Sequence, residues 1–250
     1  MGNKKGLTGL LEQLSPTQTF VIGLIQGLFL LCTIGFFILS SMYLGGGTST
    51  VVKADTNPSV VAPTPSQKVV TPRAIDPAVD HIRGNKNAEV SIIIYTDIEC
   101  PYCKKFHNTM KEVMDKYGEN IRWVHRQFPL DGLHRNARTE ALATECAGAQ
   151  GKFWEYIDSV FEKTKSNDGL DLEALPVIAG ELGLDVTKFN TCLSEKTFTP
   201  KVQADETDAK KTGGRGTPHG LIVGPNGEVA QIRGAEDLAG IEKKLKQFIK

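Results

Sequence analysis

The sequence predicts an α/β domain carried behind an apolar N-terminal segment, and three observations predict it. The run Val90–Tyr95 has the apolar, β-branched character of a buried strand and leads directly to Cys100-Pro101-Tyr102-Cys103, which opens an amphipathic helix. Near the C-terminus, two short strand patterns flank Pro225-Asn226-Gly227, a strong hairpin turn, and a closing helix follows. Between these two halves the spacing of apolar residues is helical.

Each element has its own signal. After the cysteines, Phe106, Met110, Val113, Met114 and Tyr117 recur on one helical stripe. Ile121–Arg126 alternates as a second strand. Phe153, Trp154, Ile157, Val160 and Phe161 make one helical face. Asp171 and Asp185 stand as N-caps of two more helices, the second carrying Val186, Phe189, Cys192 and Leu193 on a stripe. A polar helix near Pro200–Lys211 ends at Gly213-Gly214. The closing strands are His219–Val223 and Glu228–Arg233, and Leu238, Ile241, Leu245, Phe248 and Ile249 mark the last helix. No internal repeat is present. The order is β-α-β, a helical block, then β-β-α.

Charge narrows the function classes. The 250 residues carry 29 basic and 29 acidic side chains, which argues against nucleic acid as a principal partner, since phosphate binding needs clustered excess Lys and Arg. No charged residue occurs from Gln13 to Val52, and Phe20–Leu44 is almost continuously apolar. About 20 such residues span a bilayer, whereas a cleavable signal core has only about 7–15. The reading is therefore an uncleaved anchor, with cleavage near Ser40 and Ser41 as its alternative. Lys4 and Lys5 precede the span and the first cation beyond it is Lys53, so the basic end stays in the cytoplasm and the remainder lies outside. Disulfides persist there. Cys32, inside the span, reads as a small apolar residue facing lipid.

Gly45–Arg73 has no aromatic residue, Leu or Ile and reads as a flexible tether of roughly 30 Å root-mean-square span. The expected organisation is a cytoplasmic N-terminus over 1–19, an anchor over 20–44, a linker over 45–74 and one folded domain over 75–250, with a helical insertion over about 133–212.

The chemistry centres on the two close cysteines. Cys100, at a helix N-terminus, is the expected nucleophile: backbone N–H groups and the positive helix end favour its thiolate, and exposure is expected there. Cys103, one turn in, suits the resolving role. Pro101 fits the first turn, where its missing donor costs nothing. A static disulfide is the bland alternative, but so short a loop removes little chain entropy. A zinc site needs two further ligands; His107 is one candidate, and no second Cys or His pair has suitable spacing. The metal expectation is none.

These features together resemble the thioredoxin fold, and the helical block between its halves makes the chain similar to the DsbA-like thiol–disulfide oxidoreductases, including their membrane-anchored bacterial members. The residues carrying the resemblance are Asp97-Ile98-Glu99-Cys100-Pro101-Tyr102-Cys103, Arg126-Gln127-Phe128-Pro129-Leu130, Gly151-Lys152-Phe153-Trp154 and Gly216-Thr217-Pro218. The resemblance implies a thioredoxin fold with an inserted helical block, disulfide exchange with secreted or envelope proteins, no bound cofactor, and a quinone-linked membrane partner of the DsbB or vitamin-K-epoxide-reductase type. It also implies that Thr217-Pro218 is a cis-proline element facing the cysteines, with Pro101, Tyr102, Thr217 and Pro218 supporting the site and the Thr217 hydroxyl placed to donate to the Cys100 sulfur.

Two departures stand out against that resemblance. The buried acid expected six residues before the first cysteine is Ile94, which leaves Asp97 and Glu99 as nearer candidates for moving the Cys103 proton. Tyr102 takes a place often held by histidine and brings no charge, so a less stabilised thiolate is expected. Cys146 and Cys192, in separate helices of the insertion, are expected to form a structural disulfide, as similar pairs do in some relatives; two independent buried thiols are the alternative. His219 stands near the proline and is as readily an ordinary strand residue, while His81, His107, His125 and His134 read as surface or satisfied residues. Two rival functions stay open: a reductase or isomerase of the same fold, and a tethered chaperone or metal-binding module holding copper through Cys100, Cys103 and a histidine.

Overall fold

A computed structural model describes residues 16–44 and 70–249 of the chain, with the side chains of 17, 21 and 24–36 in the first stretch. Lys4, Lys5, Lys53 and the tether residues 45–69 lie outside the described residues. The chain divides into two compact units, Met1–Pro63 and Thr64–Lys250. In the first, Pro16–Leu44 forms one uninterrupted 29-residue helix, α1. Among the described residues no helix is long and apolar enough to cross a membrane.

The second unit is built on a five-stranded sheet of order β1-β3-β2-β4-β5, where β1 is His81–Gly84, β2 Val90–Thr96, β3 Ile121–Gln127, β4 His219–Val223 and β5 Val229–Arg233. β2 and β3 run parallel, with Ile94 opposite His125; β1, β4 and β5 join antiparallel. All seven residues of β2 are buried, which explains why it reads as a continuous apolar run rather than an alternation. Its period of two still sorts the layers. Ile92 and Ile94 face Phe106, Met110 and Val113 of α2 (Pro101–Tyr117) together with Ile241 and Leu245 of α8 (Leu238–Leu245). Ile93 and Tyr95 face the other way, towards Val124, Leu221 and Ala209 of α7 (Thr199–Lys211). Each buried apolar side chain of the α2 stripe contributes about 1.5–3 kcal/mol.

The insertion comprises α3 (Ala137–Gly148), α4 (Phe153–Lys163), α5 (Ala174–Glu181), α6 (Val186–Ser194) and then α7. Its core, including Tyr156, Ile157, Val160, Leu175 and Phe189, is continuous with Cys100 and Cys103. The expected bridge is present: Cys146 of α3 is bonded to Cys192 of α6 across 46 residues. Asp185 caps α6 as expected, accepting from the Lys188 N–H.

Several sequence expectations are corrected. The edge strand β1 has no sequence signal, because four half-buried residues are too few to establish a period. Asp171 accepts from the Glu173 N–H in a turn, and α5 starts only at Ala174. Glu228 precedes β5, and Phe248 and Ile249 pack on the core beyond the end of α8. α7 is not simply polar: Asp205 and Asp208 are buried with Val202 and Ala209. The linker ends sooner than residue 74, because Pro72 is buried and the Arg73 N–H donates to Asp208.

Those acids belong to one buried ionic network. Arg126, with no exposed surface, donates to Asp80 and, at 2.6 Å, to Asp208, which also accepts from the Tyr95 hydroxyl at 2.5 Å. Arg73 reaches Asp80 and Asp205, and Lys201 bridges Asp205 to Glu145. Glu145 in turn meets His81 at 2.7 Å, and the His81 ring stacks on Phe153 at 3.5 Å. His81 is thus an internal fastener of β1 to α3 and α4.

Candidate active site

β2 runs out at Thr96 and the turn Asp97–Cys100 delivers the chain to α2. Cys100 is the N-cap, in extended conformation, with Pro101 at the first helical position. Its carbonyl accepts from the N–H groups of Cys103 and Lys104 at 3.0 and 3.1 Å. Both sulfurs are free thiols, so this is the reduced centre. Cys100 is not the exposed residue expected: it is 5% accessible, while its neighbour Tyr102 is 65% accessible. The core of the insertion covers the nucleophile and leaves the tip of the loop in water.

The two thiols are electrostatically unlike. The Cys100 thiol is held down at about 6, chiefly because the Cys103 thiol donates to its sulfur. Burial opposes this, while Thr217 and the N–H groups of Cys103 and Tyr102 assist. Complete burial pushes Cys103 well above the ordinary thiol range, and the neighbouring Cys100 sulfur adds to the shift. One sulfur is prepared to attack and the other to keep its proton.

Thr217-Pro218 is a cis peptide facing Cys100. The contact differs from the one expected: the Cys100 thiol donates to the Thr217 carbonyl oxygen at 3.4 Å, while the Thr217 hydroxyl is buried without a hydrogen-bond partner. That hydroxyl is free to donate once the thiol ionises. His219, just beyond, bonds to the Thr212 hydroxyl at 3.0 Å and stacks on Tyr95, a structural role.

The acids near the motif are already engaged. Asp97 accepts from the Glu99 and Leu130 N–H groups and meets His134 Nδ1 at 2.9 Å. Glu99 accepts from the Thr164 hydroxyl and the Gly169 N–H, and its carbonyl accepts from Asn167. It thereby holds Ser166, Asn167 and Asp168, all in the left-handed region with φ of 63°, 53° and 59°. Among the described residues, neither carboxylate hydrogen-bonds to Cys103. Ile94 lies opposite His125, whose ring nitrogens are buried without partners and which burial keeps neutral.

Glu140 is a site neighbour that sequence reading passed over, and His134, read there as a surface or satisfied residue, is another neighbour of the site. Glu140 had a signal: it shares a helical face with Ala143, Thr144 and Ala147, so an acid stands on a buried stripe. His134 lies in an aperiodic loop and had none. His107, the metal-ligand candidate of the sequence, has its Nε2 taken by Asp158 at 2.6 Å.

A thioredoxin family model matches residues 77–240. The chain belongs to the thioredoxin family. A Na(+)/H(+) antiporter NhaA of Herminiimonas arsenicoxydans is 32% identical over 163 residues, which are 65% of this chain and 24% of that protein. The chain thus spans about a quarter of the length of the curated relatives it matches. Among solved structures, DsbA2 of Pseudomonas aeruginosa is similar at 25% identity and a TM-score of 0.57, covering 67% of this chain and 93% of that one. Oxidised BdbD of Bacillus subtilis superposes with a TM-score of 0.60 at 20% identity, covering 71% and 95%. The fold of this thioredoxin-family chain is shared with DsbA-like proteins.

Proposed function

We propose that Cys100 and Cys103 form the redox centre of an extracytoplasmic, membrane-anchored enzyme that oxidises thiols of secreted or envelope proteins. The observation that carries this reading is the opposed acidity of the two sulfurs, about 6 for Cys100 and far higher for Cys103. In the oxidised enzyme a client thiolate attacks Cys100 Sγ, the Cys100–Cys103 bond breaks, and Cys103 leaves and takes up a proton. A second client thiolate then attacks the client sulfur of the mixed disulfide and releases Cys100 as a thiolate. Two client thiols become one disulfide, two electrons pass to the enzyme, and the second proton goes to solvent. A stabilised thiolate favours the reduced enzyme and hence the oxidising direction. The reductase or isomerase reading of the same fold is separated from it by the measured reduction potential.

Thr217 and Pro218 line the approach to Cys100, and exposed Pro101 and Tyr102 form its rim; these four residues support client binding in this reading. Re-oxidation falls to a quinone-linked membrane partner of the DsbB or vitamin-K-epoxide-reductase type. The anchor reading rests on the sequence: the lack of charge from Gln13 to Val52 and the apolar run Phe20–Leu44.

The test is trapping. Cys103→Ser should accumulate mixed disulfides with reduced client proteins through Cys100, and Cys100→Ser should abolish exchange. Continued exchange by Cys100→Ser would remove Cys100 from the reaction, and a reduction potential near that of thioredoxin would reverse the direction.

A further inference from the structure

No cation lies between the two cysteines, where the residues are Pro101 and Tyr102, and the Lys104 ammonium is drawn away to the carbonyls of Glu162 and Thr164. A histidine nevertheless reaches the turn that carries the nucleophile. Beyond β3 the chain turns at Leu130, whose carbonyl accepts from the Leu133 and His134 N–H groups and whose own N–H donates to Asp97 Oδ2. This turn brings the His134 ring back over the active-site loop, with Nδ1 2.9 Å from the same Asp97 oxygen. The His134 side chain is 10% accessible and that of Asp97 has no accessible surface. Asp97 is also part of the cysteine turn, since its carbonyl accepts from the Cys100 N–H at 3.2 Å.

We propose that His134 is a positioning residue for the redox centre: its imidazolium, held by Asp97, balances that carboxylate and favours the Cys100 thiolate. Burial alone would lower the proton affinity of His134, but the Asp97 hydrogen bond and charge outweigh it, and Cys100 and Asp168 add to the same upward shift. Coupling is reciprocal, so whatever the Cys100 thiolate adds to proton binding at His134, the imidazolium adds to thiolate formation at Cys100. The other charges near the ring do not supply this effect. Asp168 is an anion that also faces Arg135 at 3.7 Å, and Glu140, pushed up to about 10 by burial and by Glu99, is uncharged at neutral pH. Removing the imidazole would leave Asp97 unbalanced next to the sulfur, and both consequences oppose ionisation of Cys100.

The inference rests on Cys100 being the attacking thiol, and one titration separates the two claims. In the reduced full-length protein, the pH dependence of alkylation gives the Cys100 acidity. If no thiol ionises near neutrality, the reading of Cys100 fails whatever His134 does. With that established, His134→Gln should cut the thiolate fraction below neutrality roughly three- to tenfold and make the couple less oxidising, whereas His134→Lys, which keeps a cation, should restore both. A lower melting temperature with unchanged thiol titration and potential would make His134 only a loop fastener and overturn the proposal. Should His134→Gln fail to fold, NMR titration of the His134 ring decides: its pKa should be lower in Cys100→Ser than in the reduced parent, and equal values would overturn the coupling.

Discussion

The Glu140 carboxyl is buried against Glu99, the residue that precedes Cys100, and neither Glu140 oxygen has a hydrogen-bond donor. Burial first, then Glu99, pushes the Glu140 acid from 4.5 up to about 10. The acid therefore stays protonated in the fold. A folded-state pKa raised in this way carries no penalty below pH 4.5. Each pH unit between 4.5 and 10 then costs the fold about 1.4 kcal/mol.

Glu140→Gln keeps the shape and removes the ionisation. We expect the variant to match the parent near pH 4 and to be more stable by roughly 3 kcal/mol near neutrality, with the gap widening as pH rises. Urea unfolding at a series of pH values measures it. A gap independent of pH would show that Glu140 does not hold its proton.

Tyr102→His places a titratable cation at the exposed rim of the nucleophile. It should lower the Cys100 pKa further and raise the reduction potential; about 30 mV corresponds to about 1.4 kcal/mol for a two-electron couple. Thiolate absorbance and equilibration with glutathione read the two quantities. Were both unchanged, charge at that position would have no hold on the sulfur.

Arg126 neutralises Asp80 and Asp208 with no exposed surface of its own. Arg126→Ala would strand both acids, and breaking such a buried pair costs about 3–5 kcal/mol. Arg126→Met combined with Asp208→Asn should cost less than Arg126→Ala, because one stranded charge is removed with the guanidinium. Chemical denaturation of the variants checks this ordering; a loss under about 1 kcal/mol for Arg126→Ala would mean that water reaches the network.

The bridge Cys146–Cys192 closes a 46-residue loop within the insertion. Replacing both cysteines by alanine should destabilise the protein by about 2–4 kcal/mol while leaving the pH profile of Cys100 alkylation in place. A changed profile would make the bridge part of the redox chemistry rather than a brace.

The sequence alone determined those features whose physics is local. β2, α2 and the Cys100 N-cap follow from an apolar run, a helical stripe and a proline at the first turn. The closing hairpin follows from Pro225-Asn226-Gly227 and the α6 cap from Asp185. Tertiary structure decided what depends on residues far apart in the chain. β1 exists because Ile82 pairs with Val124, and Arg73 leaves the linker because Asp80, Asp205 and Asp208 converge on it. Cys100 is covered because the inserted helices pack over it, and Thr217 presents a carbonyl because the chain returns to the sulfur from 117 residues away. The proton on Glu140 and the raised proton affinity of His134 belong to this second class. A side chain's pKa is set by the dielectric and the charges around it, and only the folded chain brings Glu99 to Glu140 and Asp97 to His134.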